Sequence, residues 1–147
     1  FSCKQCGVPR SAKEIADFFD INITVMTKGI KKCQEIIYMN KNNKSRLTQS
    51  VSMKPNDFIE RFCNKLKLSE EDTRLILLIC SKSIENNIIS ENTPPSIAAG
   101  CIFYFTKRKG MKITKKDVSV ICKISEVTIN KCCKKLEANR LLYEILD

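Results

Sequence analysis

Apolar positions along this chain recur three and four residues apart, and strict alternation is rare. That periodicity predicts an all-α protein. The first clear start signal is Ser11-Ala12-Lys13-Glu14, a capping box that opens a short helix carrying Ile15, Ala16, Phe18 and Phe19. A longer helix is expected from about Thr24 to Tyr38, with Met26, Ile30, Cys33 and Ile37 on one stripe. Residues 40–54 are rich in Lys, Asn and Ser, and they read as a linker.

Five more helices are expected after it. One runs from Asn56 to Leu66 and buries Phe58, Ile59, Phe62 and Leu66. Ser69 caps the next, whose first turn holds Glu70, Glu71 and Asp72, where carboxylates suit the helix dipole. Thr93-Pro94-Pro95 opens a third with proline at its first position. Its stretch from Ile97 to Phe105 is apolar nearly all round, which predicts the centre of a bundle. Thr114, with Asp117 three residues on, starts a fourth helix by a near capping box, and Ser125 starts a fifth that reaches about Asn139.

The pattern repeats. At an offset of 103 residues, Ser11-Ala12-Lys13-Glu14-Ile15 falls on Thr114-Lys115-Lys116-Asp117-Val118, and Met26, Ile30 and Cys33 fall on Ile129, Cys133 and Leu136. A short helix, a tight turn and a longer helix thus occur twice, which is the helix-turn-helix arrangement. Antiparallel helix pairs are also common in helical proteins of other kinds, so charge must arbitrate.

The net charge is +10, and it is unevenly spread. Residues 55–105 sum to −2, residues 106–135 to +8 and residues 1–50 to +5. The cations therefore sit on the two helix-turn-helix copies and the linker, and not on the central helices. Lysine-rich surfaces often serve solubility alone, but coincidence with a duplicated helix-turn-helix favours a nucleic-acid partner.

In the last helix, Ile129, Cys132, Cys133 and Leu136 form the inward stripe, which turns Val127, Asn130, Lys131 and Lys134 outward. Val127 suits a thymine methyl in a major groove, or else a local apolar contact with the preceding turn. Asn130 suits a base edge, and Lys131, Lys134 and Lys135 suit phosphates or a guanine edge. Lys115, Lys116, Ser125 and Thr128 of this copy, and Lys28 and Lys31 of the first, complete the expected DNA-binding set. Arg10 and the linker cations Lys41, Lys44 and Arg46 are expected to bind a protein partner.

Other chemistries find little support. The chain has no histidine, which excludes His-dependent catalysis and His-containing metal sites. Cys3-x-x-Cys6 lacks the second cysteine pair a zinc ribbon needs, so no metal is expected. The other cysteines sit among apolar residues and are expected to pack as small hydrophobes in a reducing compartment. No apolar run approaches the ~20 residues of a membrane span. Without an acid, base or nucleophile constellation, an enzyme is not expected. Residue 1 is Phe, and the chain reads as a piece of a longer protein.

Four motifs in order resemble the C-terminal core of transcription factor IIB (TFIIB) and its archaeal and viral relatives. They are Cys3-Lys4-Gln5-Cys6-Gly7-Val8-Pro9-Arg10-Ser11-Ala12-Lys13-Glu14-Ile15, then Phe58-Ile59-Glu60-Arg61-Phe62-Cys63-Asn64-Lys65-Leu66. Thr93-Pro94-Pro95-Ser96-Ile97-Ala98-Ala99-Gly100-Cys101-Ile102-Phe103-Tyr104 and Ile124-Ser125-Glu126-Val127-Thr128-Ile129-Asn130 follow. The resemblance implies two cyclin-like five-helix repeats: the last helices of the first at 1–39, a linker at 40–54 and a complete second repeat at 55–147. It implies a non-catalytic initiation factor, acting as a monomer, whose partners are double-stranded promoter DNA, TATA-binding protein and RNA polymerase. It also implies a zinc ribbon upstream of this core, with no cofactor inside it. Val127 and Thr128 match the family's pattern, whereas Asn130 stands where the family has arginine. Thr27 and Lys28 stand where a Gly-Arg pair is usual. Abundant Lys, Ile and Asn fit an AT-rich genome such as that of a large DNA virus, which would place the protein in host cytoplasm, whereas a nuclear eukaryotic factor would be nuclear. The alternative from another class is a cyclin-type regulatory subunit that docks on a kinase, but such a face needs apolar area more than cations.

Overall fold

The computed structural model describes residues 3, 6–8, 10–39, 53–89, 92–139 and 142. The described residues are all-helical, with no strand. Helices α1 (Ala12–Phe18) and α2 (Ile23–Met39) belong to one compact unit, residues 1–53. Helices α3 (Asn56–Lys65), α4 (Glu70–Glu85), α5 (Pro94–Arg108), α6 (Lys115–Cys122) and α7 (Glu126–Glu137) build the other, residues 54–147. The division falls at the end of the expected linker, whose residues 40–52 lie outside the described set.

In the first unit α1 packs on α2. The capping box at Ser11 forms in full: Glu14 N–H donates to Ser11 Oγ at 3.2 Å, and Ser11 N–H donates to Glu14 Oε2 at 2.8 Å. Asn22 Oδ1 accepts from Thr24 N–H at 2.8 Å, so α2 begins one residue earlier than its pattern predicts. Met26, Ile30, Cys33 and Ile37 are the half-buried positions of α2, in the phase their spacing demands. Phe18 and Phe19 are 82% and 62% exposed. Phe18 follows the buried Ala16 by two residues, about 200° around α1, and so points away from the packed face. The two rings pack edge to face on each other at 5.1 Å.

The second unit is organised around α5, which touches all of α3, α4, α6 and α7. Every residue of α5 from Ser96 to Thr106 is buried except the half-buried Phe103. The absence of a polar stripe therefore marks this helix as the bundle's axis. Pro94 and Pro95 occupy its first turn as expected. Thr93 stands at the cap but makes no cap bond to the backbone; its hydroxyl is 2.8 Å from Ser96 Oγ instead. Gly100 lies where α5 crosses α7, and its bare Cα lets Cys132 come close.

Six of the nine cysteines are buried in this unit, as their apolar neighbours predict. Ser83 is also buried, and its hydroxyl donates to Ile79 O at 2.6 Å. Burial pushes the thiols of Cys63 and Cys133 up to about 11. Burial raises Cys132 too, and Cys101 is raised by its hydrogen bond with Cys80 and by burial. Between pH 9 and 11 the unfolded chain releases thiol protons that folded Cys63 and Cys133 retain. Their contribution is thus complete below pH 9 and lost as pH rises through 11, by about 2.7 kcal/mol per thiol at most. Urea midpoints at pH 8 and pH 10.5 check this: Cys63→Ala should show a smaller alkaline loss than the parent chain.

Candidate nucleic-acid interface

The α6–α7 pair is built from three local devices. Thr114 caps α6, and the near capping box of the sequence is a complete one. Asp117 N–H donates to Thr114 Oγ1 at 3.2 Å, while Thr114 N–H and its hydroxyl both donate to Asp117 Oδ2, at 2.8 and 2.6 Å. These bonds from Thr114 hold the Asp117 carboxyl below the ordinary carboxylate value. Ser125 caps α7, accepting from Thr128 N–H at 3.3 Å. Between the helices, Ser119 Oγ donates to Ile124 O at 2.7 Å and ties α6 to the turn.

Lys123 closes α6 in the left-handed region, at φ 59° and ψ 31°. A side chain with a Cβ is disfavoured there by about 1 to 2 kcal/mol. Lys123→Gly should therefore raise stability by about 1 kcal/mol, visible as a Tm increase of a few degrees. An unchanged or lowered Tm would mean that the lysine side chain repays the backbone cost.

Helix α7 has two faces. Ile129, Cys132, Cys133 and Leu136 are buried, as the stripe predicts. Val127 is 65% exposed, so it is not absorbed by a contact with the preceding turn. Lys131, Lys134 and Lys135 are exposed beside it, Asn130 and Thr128 are half-buried, and Lys116 is exposed on α6. Ser125 is exposed, but its hydroxyl is engaged by the cap and by Thr128 Oγ1 at 2.9 Å.

Cations of the +8 segment are engaged within the fold, Lys115 and Lys107 by carboxylates. Lys115 is half-buried, with its Nζ 4.0 Å from Glu126 Oε2, a contact that joins the first turns of α6 and α7. Lys107 Nζ lies 2.6 Å from Glu137 Oε1 and links the ends of α5 and α7, and that carboxylate raises its pKa. Spacing within a single helix reveals neither pair, because the partners are 11 and 30 residues apart in sequence. Left-handed Lys123 also escaped the sequence reading, although a turn this tight requires such a residue somewhere.

In the first copy, Lys28 and Lys31 are exposed on α2. Arg10 is half-buried, and Lys41, Lys44 and Arg46 lie outside the described residues. Cys3 and Cys6 are exposed, and no group of three or more potential metal ligands occurs among the described residues. No described helix is long and apolar enough to cross a membrane.

Comparison with known proteins agrees with this architecture. The profile of the transcription factor TFIIB repeat matches residues 48–139. A transcription initiation factor IIB-like protein of Acanthamoeba polyphaga mimivirus is 33% identical over 135 residues, 92% of this chain and 29% of that protein. Transcription initiation factor IIB of Xenopus laevis is 29% identical over 97% of this chain and 40% of its own length. The Pyrococcus furiosus factor is 27% identical over 92% of this chain and 43% of its own length. The chain thus spans less than half the length of these relatives. A repeat profile that covers most of the sequence, together with viral, vertebrate and archaeal relatives, makes the chain a member of the transcription factor IIB family.

Proposed function

We propose that this chain is the promoter-binding core of a transcription initiation factor. It binds double-stranded promoter DNA jointly with TATA-binding protein, helps recruit RNA polymerase, and acts as a monomer without catalysis or a bound cofactor. Its compartment is wherever that polymerase works: the nucleus for a nuclear factor, host cytoplasm for a cytoplasmic virus.

The observation that carries this reading is the outer face of α7. Val127 is exposed on the row that also carries Lys131 and Lys134, while the opposite face of the same helix is sealed in the core. Val127 thus stands as an apolar group among exposed cations. A major groove offers thymine methyls to it and phosphates to the lysines around it.

Mobility shift on a TATA-containing duplex, with and without TATA-binding protein, tests the proposal. The expected result is a slower complex that requires both proteins. A complex of TATA-binding protein and DNA left unshifted by this chain would overturn it. Val127→Ala and Asn130→Ala should alter which upstream sequence is preferred, and an unchanged preference in both would remove α7 from the groove.

A further inference from the structure

We propose that Glu126 is a specificity-determining residue of α7, selecting a cytosine next to the base pair met by Val127. This rests on the promoter-binding reading above and adds a residue to it.

Glu126 lies in the first turn of α7. In helix-turn-helix proteins the N-terminal residues of the second helix are the ones that reach base edges. Glu126 and Asn130 are four residues apart and share one row of the helix surface; Val127, Lys131 and Lys134 form the adjacent row. Only one other carboxylate lies between residues 106 and 135, that of Asp117, and the Thr114 capping box consumes it. Glu126 is therefore the acidic group this face offers, with its side chain 48% exposed.

Lys115 and the positive end of α7 hold this carboxylate in place, and its exposed part can still accept from a donor across the interface. The major groove narrows the options. Guanine presents two acceptors, thymine an acceptor and a methyl, and adenine an acceptor beside its amine. Cytosine alone presents only a donor, the N4 amine. Lys115, 4.0 Å away on α6, offsets part of the charge, while the Glu126 side chain keeps 48% of its surface exposed. A glutamate so placed accepts a hydrogen bond from cytosine, is repelled by the acceptors of guanine and thymine, and meets the N7 acceptor of adenine beside its amine.

The test is selection of the full chain, with TATA-binding protein, on duplexes randomised upstream of a TATA element. The parent chain should enrich cytosine about fivefold at one position. Glu126→Ala should abolish that enrichment and leave the neighbouring positions unchanged. Glu126→Gln should move it toward adenine, whose amine and N7 match an amide. Lys115→Met breaks the ion pair while keeping the carboxylate, and should keep the cytosine; a merely structural role for Glu126 predicts that Lys115→Met and Glu126→Ala behave alike and leave the profile's shape intact. A profile without cytosine, or one that Glu126→Ala does not change, overturns the assignment while promoter binding stands. A parent chain that selects no sequence and binds duplexes with no salt dependence overturns both.

Discussion

Gly100→Ala is expected to destabilise residues 54–147 by about 2 to 3 kcal/mol, the cost of overpacking a filled core. For a unit of this size the Tm should fall on the order of 10 °C. A Cβ at Gly100 would overlap Cβ of Cys132, and no rotamer change relieves this, because the obstructing atom is fixed to the α7 backbone. Either α5 and α7 separate, loosening a contact at the bundle's axis, or the helix distorts. Cys132→Gly removes the obstructing atom. Alone it should also destabilise, by losing a buried side chain and adding a glycine to a helix interior. The double variant should therefore lose less than the two single variants together, by more than about 1 kcal/mol. Chemical denaturation of the four chains gives this coupling, and strictly additive losses would show that the helices do not meet at this pair.

The second large effect is electrostatic. Lys131→Ala together with Lys134→Ala should weaken duplex binding alike on every sequence. The dependence of log affinity on log salt should become shallower by about 2, one phosphate contact for each lysine. Both side chains are exposed, and their removal leaves the buried stripe of α7 untouched. Thermal stability should consequently stay near that of the parent, which separates lost contacts from lost folding. A salt slope that does not move would take these lysines off the phosphate backbone. Lys115→Ala is expected to change the slope less, because its charge is already shared with Glu126.

Much of this was legible in the sequence, for identifiable reasons. Helix phases follow from apolar spacing, and α5, α7 and the half-buried stripe of α2 all lie where the period places them. Caps are equally local: Ser11, Ser69, Thr114 and Ser125 each accept from a backbone N–H three residues on. The cations of the outer face were found because charge and periodicity coincide there. Long-range pairing is what spacing cannot encode. Nothing around Lys107 announces Glu137, and nothing around Gly100 announces Cys132. Phe18 and Phe19 mark a different limit, since hydrophobicity identifies a side chain that gains from burial but not whether its position on the helix faces a partner.

The two faces of α7 place the proposed DNA contact and folding on the same piece of chain. Its inner residues close the bundle against α5, while its outer residues carry the proposed contacts. Such a helix cannot peel away while the rest of the unit stays intact. Occupancy of the outer face thus becomes stability of the whole unit by linkage: a ligand at a hundred times its dissociation constant would add about 2.7 kcal/mol to unfolding. If the proposed contacts form, promoter and hydrophobic core act on one cooperative equilibrium, and a core substitution far from any base would weaken the bound state by depleting the fold that binds.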